Sequence, residues 1–205
     1  MEIKAGIVKK SRYSTTQWAG GTTTELLIYP PGSSYSERNF KWRISSAAVA
    51  VPESVFTSLP GIARHIMVTE GSLLLEHEGR YSKVLEPFQQ DFFMGDWKTV
   101  SRGMATDFNL MLSKGLTGSL EVQLLEPGEH LGLRIDKREG NKATVILYAL
   151  KGTLKCELGS QEFNAREKDL FYAEHLPADG KSMIEITNTS GYQAAVIRAE
   201  IVEEE

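Results

Sequence analysis

The chain has 205 residues, 41% of them hydrophobic, and a net charge of −4 from 23 basic against 27 acidic side chains. The hydrophobic share is that of a globular protein and excludes a disordered chain, and the acidic balance leaves no basic excess to neutralise a phosphate backbone, so nucleic acid is not an expected partner. The length suits one sizeable core or two small barrels packed as one unit.

At the start of the chain, Met1 to Lys10 mixes charged with apolar residues and lacks the continuous apolar run of a signal peptide. No later stretch approaches the roughly 20 apolar residues that cross a bilayer, so no membrane partner is expected and the expected location is the cytoplasm. The lone cysteine, Cys156, has no partner for an internal disulfide and sits in the apolar alternation of a strand, which reads as a small core residue.

Short β-branched and aromatic runs separated by Gly, Pro, Asn and Ser dominate, and few stretches are long enough to show a period of 3.6. In chain order the clearest strands are Glu25 to Tyr29, Trp42 to Val51, His65 to Glu70, Ser72 to His77, Asp107 to Leu112, Leu120 to Leu125, Ala143 to Leu150, Thr153 to Leu158, Lys181 to Asn188 and Tyr192 to Val202. Turn residues punctuate them at Pro30-Pro31-Gly32, Pro60-Gly61, Glu78-Gly79, Pro127-Gly128 and Asn188 to Gly191.

The chain also repeats itself. The stretch Ile66 to Gly79 matches Ile146 to Gly159, with Gly71 answering Gly152, Leu73 Leu154, Leu75 Cys156 and Gly79 Gly159. Further on, Asp91-Phe92-Phe93 answers Asp169-Leu170-Phe171 at the head of an aromatic strand. Two all-β halves of roughly 80 to 100 residues without helical crossovers suit antiparallel barrels, which remove exposed strand edges. The expected fold is therefore an all-β bicupin, two jelly-roll barrels divided as residues 1–115 and 116–205, with exchange of strands between the halves allowed. A lectin-like jelly roll or a two-sheet sandwich would produce similar patterning.

A cupin prompts a search for paired histidines. His77 follows Gly71 at the spacing of a first ligand, but the second would fall on Gly79, and His65, His130 and His175 form no recognisable pair. Neither a metal nor another cofactor is expected. Ser45 and Ser46 lack a nucleophile elbow and Cys156 lacks a neighbouring histidine, so binding is favoured over catalysis.

Polar residues that suit a ligand gather in the first half. Trp18 to Glu25 sets Gly20-Gly21 and three threonines before an apolar strand, which reads either as converging N–H and O–H donors or as a glycine turn into a Thr-rich edge strand. In Trp42 to Ala47, period-2 alternation puts Arg43, Ser45 and Ala47 on one face and Trp42, Ile44 and Ser46 on the other. Facing inward, Arg43 needs a carboxylate such as Glu25, Asp107 or a ligand; facing outward, it is a solvated strand residue. Arg64 offers a second fork-shaped donor, and Asp107 alternates with Asn109 on one face.

The ordered motifs Trp18-x-Gly20-Gly21-Thr22-Thr23-x-Glu25, Trp42-Arg43-Ile44-Ser45-x-Ala47, Phe56, Pro60-Gly61-Ile62-x-Arg64, Gly71, Pro87-Phe88, Phe93-x-Gly95-Asp96 and Asp107-Phe108-Asn109-Leu110-Met111 resemble the HutD/Ves family of bicupins. Ala63 and Lys41 depart from the acidic residues that resemblance leads one to expect there. The resemblance implies a bicupin that binds a metabolite without a metal. For the HutD branch it implies regulation of histidine utilisation with ligands such as urocanate or formiminoglutamate, and for the Ves branch a link to stress response.

The resulting expectation is a small-carboxylate site lined by Trp18, Gly21, Thr22, Thr23, Glu25, Trp42, Arg43, Ser45, Arg64, Asp107 and Asn109 in a sensing or regulatory protein. The two arginines would take the carboxylate, Asp107 and Glu25 a cationic or N–H-bearing end, and the two tryptophans would form walls. The rival expectation is a cupin enzyme acting on a small organic acid, and a homodimer is compatible with either.

Overall fold

In the computed structural model, residues 2–135, 142–177, 179 and 181–203 are described. They form two compact units, Tyr13–Lys114 and the combination of Met1–Arg12 with Gly115–Glu205. The opening strand, β1 (Lys4–Val8), thus lies in the unit formed by the end of the chain, where a division at 115/116 placed it with the first half.

The first unit contains β2 (Ser14–Trp18), β3 (Gly21–Tyr29), β4 (Trp42–Val49), β5 (Glu53–Val55), β6 (Ile62–Gly71), β7 (Leu73–His77), β8 (Ser82–Leu85), β9 (Gln90–Met94), β10 (Thr99–Arg102) and β11 (Ala105–Ser113). Its antiparallel strands make a sheet ordered β2-β3-β4-β11-β6-β9 and a second ordered β5-β10-β7-β8. The other unit contains β12 (Leu116–Leu125), β13 (His130–Arg134), β14 (Lys142–Lys151), β15 (Leu154–Leu158), β16 (Gln161–Ala165), β17 (Leu170–Pro177), β18 (Met183–Asn188) and β19 (Ala194–Glu203). Its sheets run β1-β17-β14-β19-β12 and β13-β18-β15-β16.

The two orders superpose term by term: β4-β11-β6-β9 corresponds to β12-β19-β14-β17, and β5-β10-β7-β8 to β13-β18-β15-β16. Each unit then adds its own edge, β3 and β2 in the first and β1 in the second. This is the duplicated cupin barrel that the repeat in the sequence calls for, and the protein is an all-β bicupin. No helix among the described residues is long and apolar enough to cross a membrane.

A bulge fixes the correspondence residue by residue. In β6/β11 the register slips between Thr106 and Asp107, so that Asp107 faces Val68; in β14/β19 it slips between Ala149 and Lys151, leaving Val196 opposite Ala149. Asp107 therefore occupies the place of Val196. Counting along the same ladders, Arg64, opposite Met111, occupies the place of Val145, opposite Glu200.

The second barrel uses these inward positions to fill itself: Val145, Leu147, Ala149, Leu154, Cys156, Phe171, Ile184 and Val196 belong to one buried cluster. Cys156 is fully buried there, and burial pushes its thiol up to about 12. In the first barrel the apolar cluster of Ile66, Val68, Leu73, Leu75, Leu85 and Phe93 closes only part of the interior.

Candidate functional site

What the apolar cluster leaves open is a cavity of about 300 Å³. Strand alternation decides its lining: Arg43, Ser45, Ala47 and Val49 of β4 share one face, as do Asp107, Asn109 and Met111 of β11. Arg64 comes from β6, Thr16 and Trp18 from β2, Thr23 from β3, and Phe56 from the segment after β5.

Arg43 is held from two sides. Its Nε donates to Glu25 Oε2 at 2.7 Å and its Nη1 to Ser45 Oγ at 3.0 Å, while Tyr35 lies with its ring centroid 4.5 Å from the guanidinium carbon. The Arg43 side chain is 6% exposed, so an unpaired charge here would be costly, and Glu25 supplies the counter-charge.

Arg64 is different. Its guanidinium carbon stands 4.6 Å from the Phe56 ring and 5.3 Å from the Phe93 ring, favourable contacts for a cation against aromatic faces, yet its buried Nε has no hydrogen-bond partner. Burial lowers the Arg64 pKa from its ordinary value, with Asp107 and Tyr35 opposing that shift and Arg43 adding to it. A guanidinium does not deprotonate in a protein, so Arg64 remains a cation with donor capacity left over.

On β11, Asp107 is 3% and Asn109 4% exposed. Burial pushes the Asp107 carboxyl up to about 7, against the pull of Arg64 and a backbone N–H of Ala47. Asn109 Oδ1 is buried without a partner. One wall thus offers unused acceptor capacity and a carboxyl near its titration point, and Arg64 offers unused donors. Trp18, 37% exposed, donates from Nε1 to Thr23 Oγ1 at 3.2 Å and forms part of the wall.

Of the residues expected from the sequence, Trp18, Thr23, Arg43, Ser45, Arg64, Asp107 and Asn109 come together around the cavity. Glu25 does not line it; its carboxylate is engaged by Arg43, which withdraws it as a group for a ligand's cationic end. Gly21, Thr22 and Trp42 do not line it either. Thr22 is registered with Ala48, on the face opposite to Ala47, and Trp42, a neighbour of Arg43 in sequence, alternates to the other side, where it stacks on Tyr29 at 5.3 Å. Gly21 backs onto Ala48, whose carbonyl oxygen lies 1.9 Å from where a Cβ would stand. The role found for Gly21 is therefore a close passage of two backbones.

The sequence reading missed Tyr35, a loop residue with no strand alternation to mark it, and the wall contributions of Phe56, Thr57 and Met111. Phe56 and Met111 did figure among the motif residues.

The cavity's donor set does not suit a metal. Asp107 is its one lining carboxylate, Glu25 is engaged, and two guanidiniums repel a cation. His77, at the place of a cupin's first histidine, has both ring nitrogens occupied: Nδ1 lies 2.8 Å from Thr99 Oγ1 and Nε2 3.0 Å from Asp91 Oδ2. Among the described residues no group of three or more His, Cys, Asp or Glu side chains is placed to hold a metal ion.

Comparison with solved structures agrees with this architecture. The chain is 25% identical to PA5104, a conserved protein of Pseudomonas aeruginosa PAO1, at a TM-score of 0.79 over 97% of this chain and 98% of that one. HutD from Pseudomonas fluorescens SBW25, solved in a formate condition, is 21% identical with a TM-score of 0.64, covering 96% of this chain and 98% of that chain. Bacillus subtilis oxalate decarboxylase, studied for its Mn(II) centres, shares the fold at 9% identity and a TM-score of 0.66, covering 97% of this chain and 77% of that one. The sequence profile of the HutD family matches residues 10–190, which include every residue of the cavity and reach from the first barrel into the second, and the chain belongs to the HutD family.

Proposed function

We propose that the first barrel is a receptor for a small carboxylate-bearing metabolite and that the protein senses or regulates histidine utilisation or a related amino-acid or stress pathway, with urocanate and formiminoglutamate as the first ligands to try. The observation that carries this reading is Arg64, a buried cation with an unpartnered Nε beside an open cavity. Leaving a donor unsatisfied in the interior costs about 1–3 kcal/mol, a cost that an incoming carboxylate removes. The second barrel supports it by contrast at these two places, where Val145 and Val196 belong to a buried apolar cluster.

Thermal unfolding of the whole chain with each acid at millimolar concentration tests the proposal. A ligand at 100 times its dissociation constant adds about 2.7 kcal/mol of stability. Arg64→Met, which keeps the apolar stem, is expected to fold and to lose that response. The absence of any shift with both acids removes this ligand class. Asp107, a cavity-lining carboxyl that burial pushes up to about 7, has a titration range that would suit a general acid or base. Slow conversion of a bound acid followed by NMR would transfer the protein to the cupin-enzyme reading, and recovery of the acid unchanged keeps it a receptor.

A further inference from the structure

We propose that the cavity takes up one proton with each simple monoanionic carboxylate, Asp107 being the seat of that proton, so that Asp107 sets the charge state of ligand the site accepts. The inference rests on the carboxylate reading of the cavity and concerns its electrostatic balance. The proton comes from solvent and joins the Asp107 carboxylate, and no other bond is made or broken.

Charged and titratable groups face Asp107 from three sides. From β6 comes Arg64; from β4 comes Arg43, bonded to Glu25 of β3; and from the loop before β4 comes Tyr35. Glu25 neutralises Arg43 at 2.7 Å, so that pair contributes little net charge. The only other opposite charges in the cavity are Arg64 and Asp107, and among the described residues no hydrogen bond joins them. With Asp107 ionised the empty cavity is neutral. A carboxylate drawn to Arg64 would then add an uncompensated negative charge beside a second buried carboxylate, and two carboxyls sharing one site do not both stay ionised.

Two further observations support the step. Asp107 already lies near neutrality because of its burial, so protonating it costs little at physiological pH. The fold does not need either charge, since Val145 and Val196 stand at the matching places in the second barrel. A carboxylate with its own cationic end can replace the proton, and for such a ligand Asp107 stays ionised.

Calorimetric titration with acetate and trans-cinnamate, whose carboxylates remain ionised throughout, decides the matter. Titrations at pH 6, 7.5 and 8.5 in two buffers of unlike ionisation heat, Tris and HEPES at the pH where both buffer, give affinity and proton count together. The expected result is uptake approaching one proton per ligand on the alkaline side, with affinity falling toward tenfold per pH unit above about 7. Asp107→Asn is expected to bind either acid with no such dependence and no proton exchange. Binding by the wild-type chain with no proton uptake and equal affinity at pH 6 and 8.5 overturns the inference while leaving the carboxylate site intact. Failure of both acids to bind even at pH 6 overturns the carboxylate site and the inference with it. The wild-type proton count is decisive even if the variant does not fold.

Discussion

Asp107 and Arg64 show how a buried charge acts on stability as well as on binding. Because the folded pKa of Asp107 is raised to about 7, the native state holds a proton that the unfolded chain has already released. Stability from this group is therefore complete below about pH 4, declines as pH rises toward 7 and stays low above it, a cost of at most about 4 kcal/mol. Asp107→Asn is expected to raise the unfolding temperature of the ligand-free protein at pH 8 and to change it little at pH 4, as differential scanning calorimetry at the two values would show. A variant equally destabilised at both would mean that the carboxyl has a structural bond the charge argument omits. Alternation made Arg43, Ser45, Asp107 and Asn109 legible in the sequence, since each follows its neighbours by two. The same rule excludes Trp42 and Thr22, whose suitability as residue types had outweighed their parity. Tyr35 was not legible, because a loop residue carries no period, and its place beside Arg43 depends on how the loop returns to β4.

Among the elements, the turns were the most reliably announced. Gly71 and Gly79 punctuate the first repeat, and both adopt positive φ, +79° and +70°. Their surroundings differ: a Cβ on Gly71 would stand 2.5 Å from the Met104 carbonyl oxygen, whereas one on Gly79 meets nothing within 4 Å. Gly79→Ala is expected to cost about 1–2 kcal/mol from backbone conformation alone, and Gly71→Ala roughly 3 kcal/mol or more, because the backbone of β11 must also move. Urea titration of the two variants measures the difference, and equal costs would show that β11 yields freely. Strands with buried alternation, such as Ile62–Gly71 and Lys142–Lys151, were found within a few residues of their ends. The short or exposed ones were missed: Ser14–Trp18 is polar and exposed along its length, and Glu53–Val55 is three residues long. Such edge strands are set by the neighbour they pair with, which the local sequence does not record.

On the scale of the whole molecule, duplication followed by divergence gives two barrels that differ where Arg64 and Asp107 line a cavity in the first and Val145 and Val196 join an apolar cluster in the second. Ligand effects should divide accordingly. Hydrogen exchange on the full chain with and without a bound acid is expected to slow amides in β4, β6 and β11 and to leave β14 and β19 unchanged; protection centred on the latter would place the site in the wrong barrel. The two-fold repeat was legible because Gly-turn and aromatic-strand motifs recur in order. The barrel to which Lys4–Val8 belongs was not, since this strand has no counterpart in the repeat and its partner, Leu170–Pro177, is remote in sequence. That partnership has a temporal side. A ribosome adds about 5–20 residues each second, so β1 emerges roughly ten seconds or more before β17 exists to receive it. Throughout that interval an already translated edge strand has no ladder, and its sheet is complete only once synthesis has passed Leu170–Pro177.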